Sequence, residues 1–449
     1  MLTDANQTTA YLVSELEALA CRLLAIQLHG LGLRRSEDLL YLTTQHGNAT
    51  PDYFHPWLAE SLRYVAGVEA GDPDELWRQW RERLTIWRQD ADLAARAQLL
   101  DACLTSLPSL LTGEQPATSV IFPGGSMALV EGVYKNNRIS DYFNQVMIEA
   151  ALAYIESRPA DAEPLRILEI GAGTGGATAG LLAALVPWRR HIGEYCYTDL
   201  STAFLQHGTH KFGRNNPFLQ TRLFDVSRPC AEQGIATDHY HLVMASNVLH
   251  ATPEIRQTLR NAKAALRKGG LLMLNEISEA SLFTHLSFGL LEGWWLYRDG
   301  ALRIPGCPGL SPAGWQAVLE QEGFSPVLFP AKKAHGLGQQ IILAESDGIV
   351  RQPIAKMERR AVPQSTTNKR NGDFGPEQDE TTSDSWRRRV GEYLRELVAS
   401  TLKIPADKMN LSRPLEEYGL DSILVVRLTN AFNEQFKAID SALFLKYRP

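Results

Sequence analysis

The stretch Leu165 to Leu185, LRILEIGAGTGGATAGLLAAL, constrains this chain more than any other. Leu165, Ile167, Leu168 and Ile170 form a short apolar run of the kind that makes a buried parallel strand. Glu169, Gly171, Gly173 and Gly175 come at its end, and from Ala177 the composition turns to the alanine and leucine of a helix. A strand, a glycine turn and a helix therefore follow one another. Glycines allow positive φ in the turn and remove the Cβ atoms that would hold a ligand off the main chain. A nucleotide-like ligand can lie there. The spacing is shared with dinucleotide enzymes, and such a turn also serves tight packing alone. No GK[ST] follows, which excludes a P-loop.

With Glu169 just ahead of the first glycine, the stretch resembles the E-x-G-x-G-x-G motif of class I S-adenosylmethionine (SAM) methyltransferases. The resemblance implies that Glu169 lies near the methionine and ribose parts of SAM and that Gly171, Gly173 and Gly175 lie under it. Beyond the glycine helix the pattern alternates strand and helix. EYCYTDLS reads as a second strand ending in Asp199, TRLFDVS as a third with Asp225, YHLVMASNVLHA as a fourth with Asn247 and His250, and GGLLMLNEIS as a fifth with Glu276. The segment PEIRQTLRNAKAALRKGG reads as a helix that stops at Gly269 and Gly270. Such alternation predicts an α/β, Rossmann-like doubly wound parallel sheet, in which ligands bind at the carboxyl ends of the strands. FSPVLFP and QQIILAE, split by KKAHGLG, read as a hairpin. The resemblance implies an antiparallel final strand.

Residues 1–120 read as an α-helical N-terminal subdomain, with Leu12, Leu16, Leu19, Leu23 and Leu24 at helical spacing, and 121–345 as the methyltransferase domain. The helical part either packs on the catalytic part or also walls the entrance to an acyl site. Asp141 is a candidate helix cap, preceded by a polar loop with Tyr134, Asn136 and Asn137 that either folds over SAM as a lid or serves as turn and packing. The segment from Ser281 to Trp315 carries His285, Phe288, Trp294, Trp295 and Tyr297. It reads as a cap keeping water from an acyl chain, or as a small aromatic core.

Residues 346–385 are rich in polar and charged side chains, with Phe374 the only aromatic, and read as a flexible linker. Beyond it Val390, Leu394, Leu397, Val398 and Leu402 mark one amphipathic helix, and Leu424, Leu428, Phe432 and Phe436 a second. Ser422 stands at the start of the second, where a hydroxyl commonly caps a helix. Helix, long loop and LEEYGLDS before a second helix resemble acyl and peptidyl carrier proteins, which implies Ser422 as the attachment site of 4'-phosphopantetheine. Carrier domains continue into a further helix after a stretch like SALFLKYRP, so residues 386–449 are expected to be a truncated carrier.

The composition excludes other classes. No apolar run approaches the ~18 residues of a membrane span, and MLTDANQTTAYLV has no secretory pattern. Cys21, Cys103, Cys196, Cys230 and Cys307 lack metal-ligand spacing and suit reduced thiols in a cytoplasmic protein, with no metal site expected. A net charge of −6 with mixed signs suggests no nucleic-acid footprint.

Chemistry narrows the reading further. A sulfonium methyl is already activated, so a transferase supplies alignment and, for a poor nucleophile, a base. The α-carbon of a β-ketoacyl thioester is such a nucleophile, and histidine suits removal of its proton near neutral pH. If the fourth and fifth strands are neighbours, their ends lie ~5 Å apart, which makes His250 the general base and Glu276 its supporting acid. VEGVYKNNRISDYFN, LEIGAGTGG, SNVLHAT, LNEIS and FGLLEGWW together resemble the methyltransferase domains of polyketide synthases, especially trans-acyltransferase ones, over Tyr134–Glu345. This implies C-methylation of a β-ketoacyl thioester on an acyl carrier protein, with neighbouring synthase domains as partners. Asp199 would then bind the ribose hydroxyls, Asp225 the adenine amine and Asn247 the methionine region, with Tyr134 in the segment over SAM; the other reading of an acid at a strand end is a cap for the next helix. Two alternatives stand beside it: O-methylation of a β-hydroxyacyl thioester, and an inactive scaffold for the carrier.

Overall fold

The computed structural model describes residues 4–39, 51–69, 71–159 and 162–351, together with Arg395, Val398 and Ala399, which are helical. The expected linker beyond residue 351, and the carrier segment with Ser422, lie outside the described residues apart from those three positions.

Seven strands form one sheet. They are β1 (Leu165–Ile170), β2 (Ile192–Asp199), β3 (Leu219–Leu223), β4 (Tyr240–Ser246), β5 (Leu266–Ile277), β6 (Phe324–Leu328) and β7 (Gln339–Ser346), in the order β3-β2-β1-β4-β5-β7-β6. β1 to β5 pair in parallel, while β7 is antiparallel to both β5 and β6. The apolar run of β1 is central for a physical reason. Leu165, Ile167, Leu168 and Ile170 are all buried, on faces covered by helices, and only a central parallel strand needs apolar residues on both faces.

One helix boundary differs from its expectation. The helix Ile255–Ala265 stops short of Gly269, and Leu266 to Gly270 already belong to β5. The cap residue Leu266 takes an extended conformation (φ −72°, ψ 138°). Gly269 (φ 72°) sits in the irregularity between the pairs Tyr240↔Leu266 and Leu242↔Leu271. This glycine accommodates a bulge, not a helix end. The cap ahead of the helix Arg138–Glu156 is likewise Asn137, whose Oδ1 accepts from Ser140 N–H (2.9 Å). Asp141 lies one turn in and instead accepts from Asn136 N–H (3.0 Å).

A helical layer packs over one end of the sheet, built from helices Asp4–Gly30, Phe54–Tyr64, Pro73–Trp87, Ala94–Leu111 and shorter ones that follow. Trp57, Trp80 and Trp87 fill its core. That core runs past residue 120 to Val133 and takes in Leu282, Phe283, Leu286 and Leu290 from the segment after β5. His285 fastens the two parts: its ring stacks on Trp57 (centroids 5.3 Å apart, 7° between planes) and its Nε2 bonds Ser61 Oγ at 2.7 Å. At the far edge the chain stays docked beyond the strands, because Asp347 pairs with the buried Lys263 at 2.5 Å. Among the described residues, no helix is long and apolar enough to cross a membrane.

Candidate active site

The turn after β1 is left-handed at Gly171 (φ 63°), Gly173 (φ 56°) and Gly175 (φ 75°). Gly171 and Gly173 line a cleft of about 510 Å³ at the carboxyl ends of the strands. A Cβ on Gly173 would meet nothing within 4 Å, whereas one on Gly171 would strike Val248 at 2.5 Å. Gly175 does not reach the cleft. A Cβ there would strike the Phe212 ring at 2.4 Å, so the third glycine of the motif also makes room for that ring.

Carboxylates converge on the same cleft. Asp199, at the end of β2, accepts from Gly173 N–H at 2.8 Å and from Ser201 N–H at 2.9 Å, which ties the second strand to the glycine turn. Asp225, just beyond β3, accepts from Ser227 N–H (2.9 Å) and Ser227 Oγ–H (2.6 Å). Glu169 is buried and its Oε2 accepts from Tyr195 O–H (2.6 Å) and Thr178 Oγ–H (2.7 Å). Burial pushes its carboxyl up to about 7 against the lowering effect of those two donors. Tyr134 and Asn247 (φ 55°) complete the wall, with Asn247 N–H donating to Asn275 O at 2.7 Å.

A second cavity of about 820 Å³ lies between the sheet and the helical layer. Val13, Tyr64 and Arg96 line it from the helical side, and Phe288 and Trp294 from the segment after β5. The helical layer thus lines this cavity as well as packing on the sheet, and the aromatic segment contributes both to the core of that layer and to the cavity wall. The two cavities share Tyr134, Asn247, Ala251 and Gln339 and no other lining residue.

His250 lines the larger cavity from the short turn Leu249–Ala251 that follows β4. Its Nδ1–H donates to Glu276 Oε2 at 2.5 Å, and Glu276, wholly buried on β5, also accepts from Leu249 N–H at 2.8 Å. The register Ser246↔Asn275 sets the two strand ends side by side, as the parallel pairing of β4 with β5 requires. With Nδ1 engaged, Nε2 is the nitrogen left for a proton from the cavity.

Two further residues carry no clear signal in the sequence. Arg303 lies buried and donates to His250 O (2.9 Å), Pro308 O (2.7 Å) and Thr252 O (3.0 Å), while Asp299 accepts from its Nε at 2.6 Å. It clamps the turn that holds the histidine; a single cation inside LRIPGCPG is the one hint. Asn275, next to Glu276, lines the smaller cleft with its Oδ1 buried and unpartnered among the described residues.

SAM fits the smaller cleft on these observations. The floor is free of side chains at Gly173, carboxylates stand at the ends of β2 and just beyond β3, and the orphan acceptor Asn275 Oδ1 calls for a donor such as an ammonium group.

The sequence matches a methyltransferase domain over residues 168–272 and a phosphopantetheine attachment site over 392–448. Polyketide synthase PksM of Bacillus subtilis (strain 168) is 44% identical over 429 residues, which are 94% of this chain and 10% of PksM. The chain therefore spans about a tenth of that relative's length. Among solved structures, the DszA carbon methyltransferase is 34% identical, with a TM-score of 0.69, over 77% of this chain and 93% of its own. The CurJ carbon methyltransferase is 28% identical, with a TM-score of 0.67, over 77% of this chain and 94% of its own. The chain belongs to the SAM-dependent methyltransferases of polyketide synthases, in their carbon-methyltransferase-like branch, with a phosphopantetheine-attachment segment behind it.

Proposed function

We propose that the protein methylates the α-carbon of a β-ketoacyl thioester borne on the 4'-phosphopantetheine arm of an acyl carrier protein. One observation carries the reading: a histidine, hydrogen-bonded through Nδ1 to a fully buried carboxylate at 2.5 Å, faces the larger cavity and not the cofactor cleft. A carbon acid needs such a base, whereas an already acidic nucleophile does not.

When bound, SAM supplies a methyl group activated on a sulfonium. Asp199 holds the ribose hydroxyls, Asp225 the adenine amine, and Asn247 and Tyr134 the end of the cofactor nearest the junction of the cavities. Gly171 and Gly173 let the main chain approach it. His250 Nε2 removes the α-proton, and Glu276 fixes the ring's tautomer and offsets the positive charge that the imidazole gains. Trp294 and Phe288 keep water away from the carbanionic carbon. Ser422 carries the phosphopantetheine arm of the attached segment, and neighbouring synthase domains supply and remove the acyl chain.

The test is the intact mass of a carrier loaded with a β-ketoacyl or a β-hydroxyacyl chain after incubation with protein and SAM. A methyl gain on the keto form alone is expected, reduced by about 10³-fold or more in rate in His250→Ala. Gain on the hydroxy form alone would mean O-methylation, and no gain despite SAM binding would mean a scaffold.

A further inference from the structure

Deprotonating the α-carbon moves an electron pair onto the neighbouring carbonyl oxygen, and a fixed donor aimed at that oxygen stabilises the charge more than mobile water does. His250 and Glu276 supply none, because the first takes the proton and the second accepts from it. We infer that Trp294 supplies it: its indole N–H donates to the carbonyl oxygen of the acyl substrate and to the enolate that follows. The inference rests on the C-methylation reading above.

Trp294 is 7% exposed, lines the acyl cavity, and sets its ring edge-on to His250, with centroids 6.2 Å apart and 69° between planes. Its Nε1 is buried with no hydrogen-bond partner among the described residues. A buried indole N–H is usually satisfied, and four others among the described residues are. Trp57 donates to His285 O (3.1 Å), Trp80 to Asp101 (2.9 Å), Trp87 to Glu15 (3.4 Å) and Trp295 to Gly289 O (2.8 Å). Trp315 Nε1 is also unpartnered, but that ring lies in the core beneath the sheet and lines neither cavity. Of these two unpartnered indoles, Trp294 is the one whose side chain lines the acyl cavity.

The step balances within substrate and protein. The α C–H bond breaks, the proton passes to His250 Nε2, and the pair left behind spreads over carbon and the carbonyl oxygen, where the Trp294 N–H meets the developing charge. The carbonyl oxygen and the α-proton belong to adjacent carbons, so a donor and a base beside one another suit a single acyl group. A β-hydroxyl undergoing O-methylation develops no such charge on a carbonyl.

Trp294→Phe keeps the ring and deletes only the donor. With full-length protein, SAM and a β-ketoacyl carrier, kcat should fall on the order of 10²-fold while the KM for the carrier changes by less than about threefold. SAM affinity measured by calorimetry should stay unchanged, which also reports folding. Exchange of the α-proton for deuterium without SAM, above the spontaneous rate, should fall by a similar factor. An α-fluoro β-ketoacyl carrier, whose α-proton is more acidic, should narrow the gap between variant and wild type, which a merely structural role would not do. Unchanged kcat, or the same deficit on both substrates, would overturn the assignment of Trp294 and leave C-methylation standing. A wild-type protein that neither exchanges nor methylates any β-ketoacyl carrier would overturn both.

Discussion

Glu169 sits in an environment far from that of a surface acid. It is sealed at the end of β1, and burial raises its carboxyl from 4.5 to about 7. Between those values the folded protein binds more protons than the unfolded chain, so stability falls as pH rises through this window. Glu169→Gln should flatten that slope and be more stable than wild type near pH 8, by up to about 3 kcal/mol, in urea unfolding followed across pH 5 to 8. An equally steep slope in the variant would assign the pH dependence to another group. At this scale much of the site was readable from sequence, because Glu169, Asp199, Asn247 and Glu276 sit at strand ends or one residue past them. Alternation alone locates such ends. The packing of Gly175 against Phe212 carries no signal of its own, because its left-handed φ is shared with Gly171 and Gly173. The clamp made by Arg303 could not be read, since besides Asp299 its partners are main-chain oxygens of residues up to 53 positions away in the chain.

Elements act on one another through the loop after β4. Asn247 adopts φ 55°, Val248 packs where Gly171 has no Cβ, and Leu249 and His250 then bond to Glu276 on β5. The glycine turn and the turn carrying His250 are therefore in contact, although one lines the smaller cleft and the other the larger cavity. Gly171→Ala brings both a strained φ and a 2.5 Å clash with Val248. Expected costs are about 2–4 kcal/mol of stability, from strain and overpacking together, and a fall in kcat beyond that in SAM affinity. Unfolding curves and calorimetry check the two parts separately; loss of SAM binding with an intact kcat would contradict the coupling. Strand identities and their order were legible because apolar runs alternate with helical patterns. The ends of elements were less so: the pair Gly269 and Gly270 looks the same in a helix stop as in a bulge, and only pairing with Tyr240 and Leu242 decides.

For the whole molecule, the helical layer and the sheet together wall the larger cavity, and His285 sits where the layer joins the segment after β5. Burial lowers its ring from 6.5 to about 3, so it is neutral in the folded state at ordinary pH. A base with a depressed folded value stabilises the native state above its unfolded value and loses that contribution as pH falls through the window between 6.5 and 3. Wild type should thus lose melting temperature between pH 6.5 and 4 more steeply than His285→Gln, although the variant, lacking the stack on Trp57, starts about 1–2 kcal/mol lower at pH 7. Parallel slopes would place the acid sensitivity elsewhere. Periodicity marked the helices in the sequence, but nothing in it joined Trp57 and Ser61 to a histidine more than 200 positions later. Long-range packing of this kind has no local pattern. The cofactor cleft and the acyl cavity meet only at Tyr134, Asn247, Ala251 and Gln339 and are each partly open to solvent. On the proposed C-methylation reading, spent cofactor would leave through its own opening while the acyl chain stays seated, so one docking of the carrier would allow successive rounds.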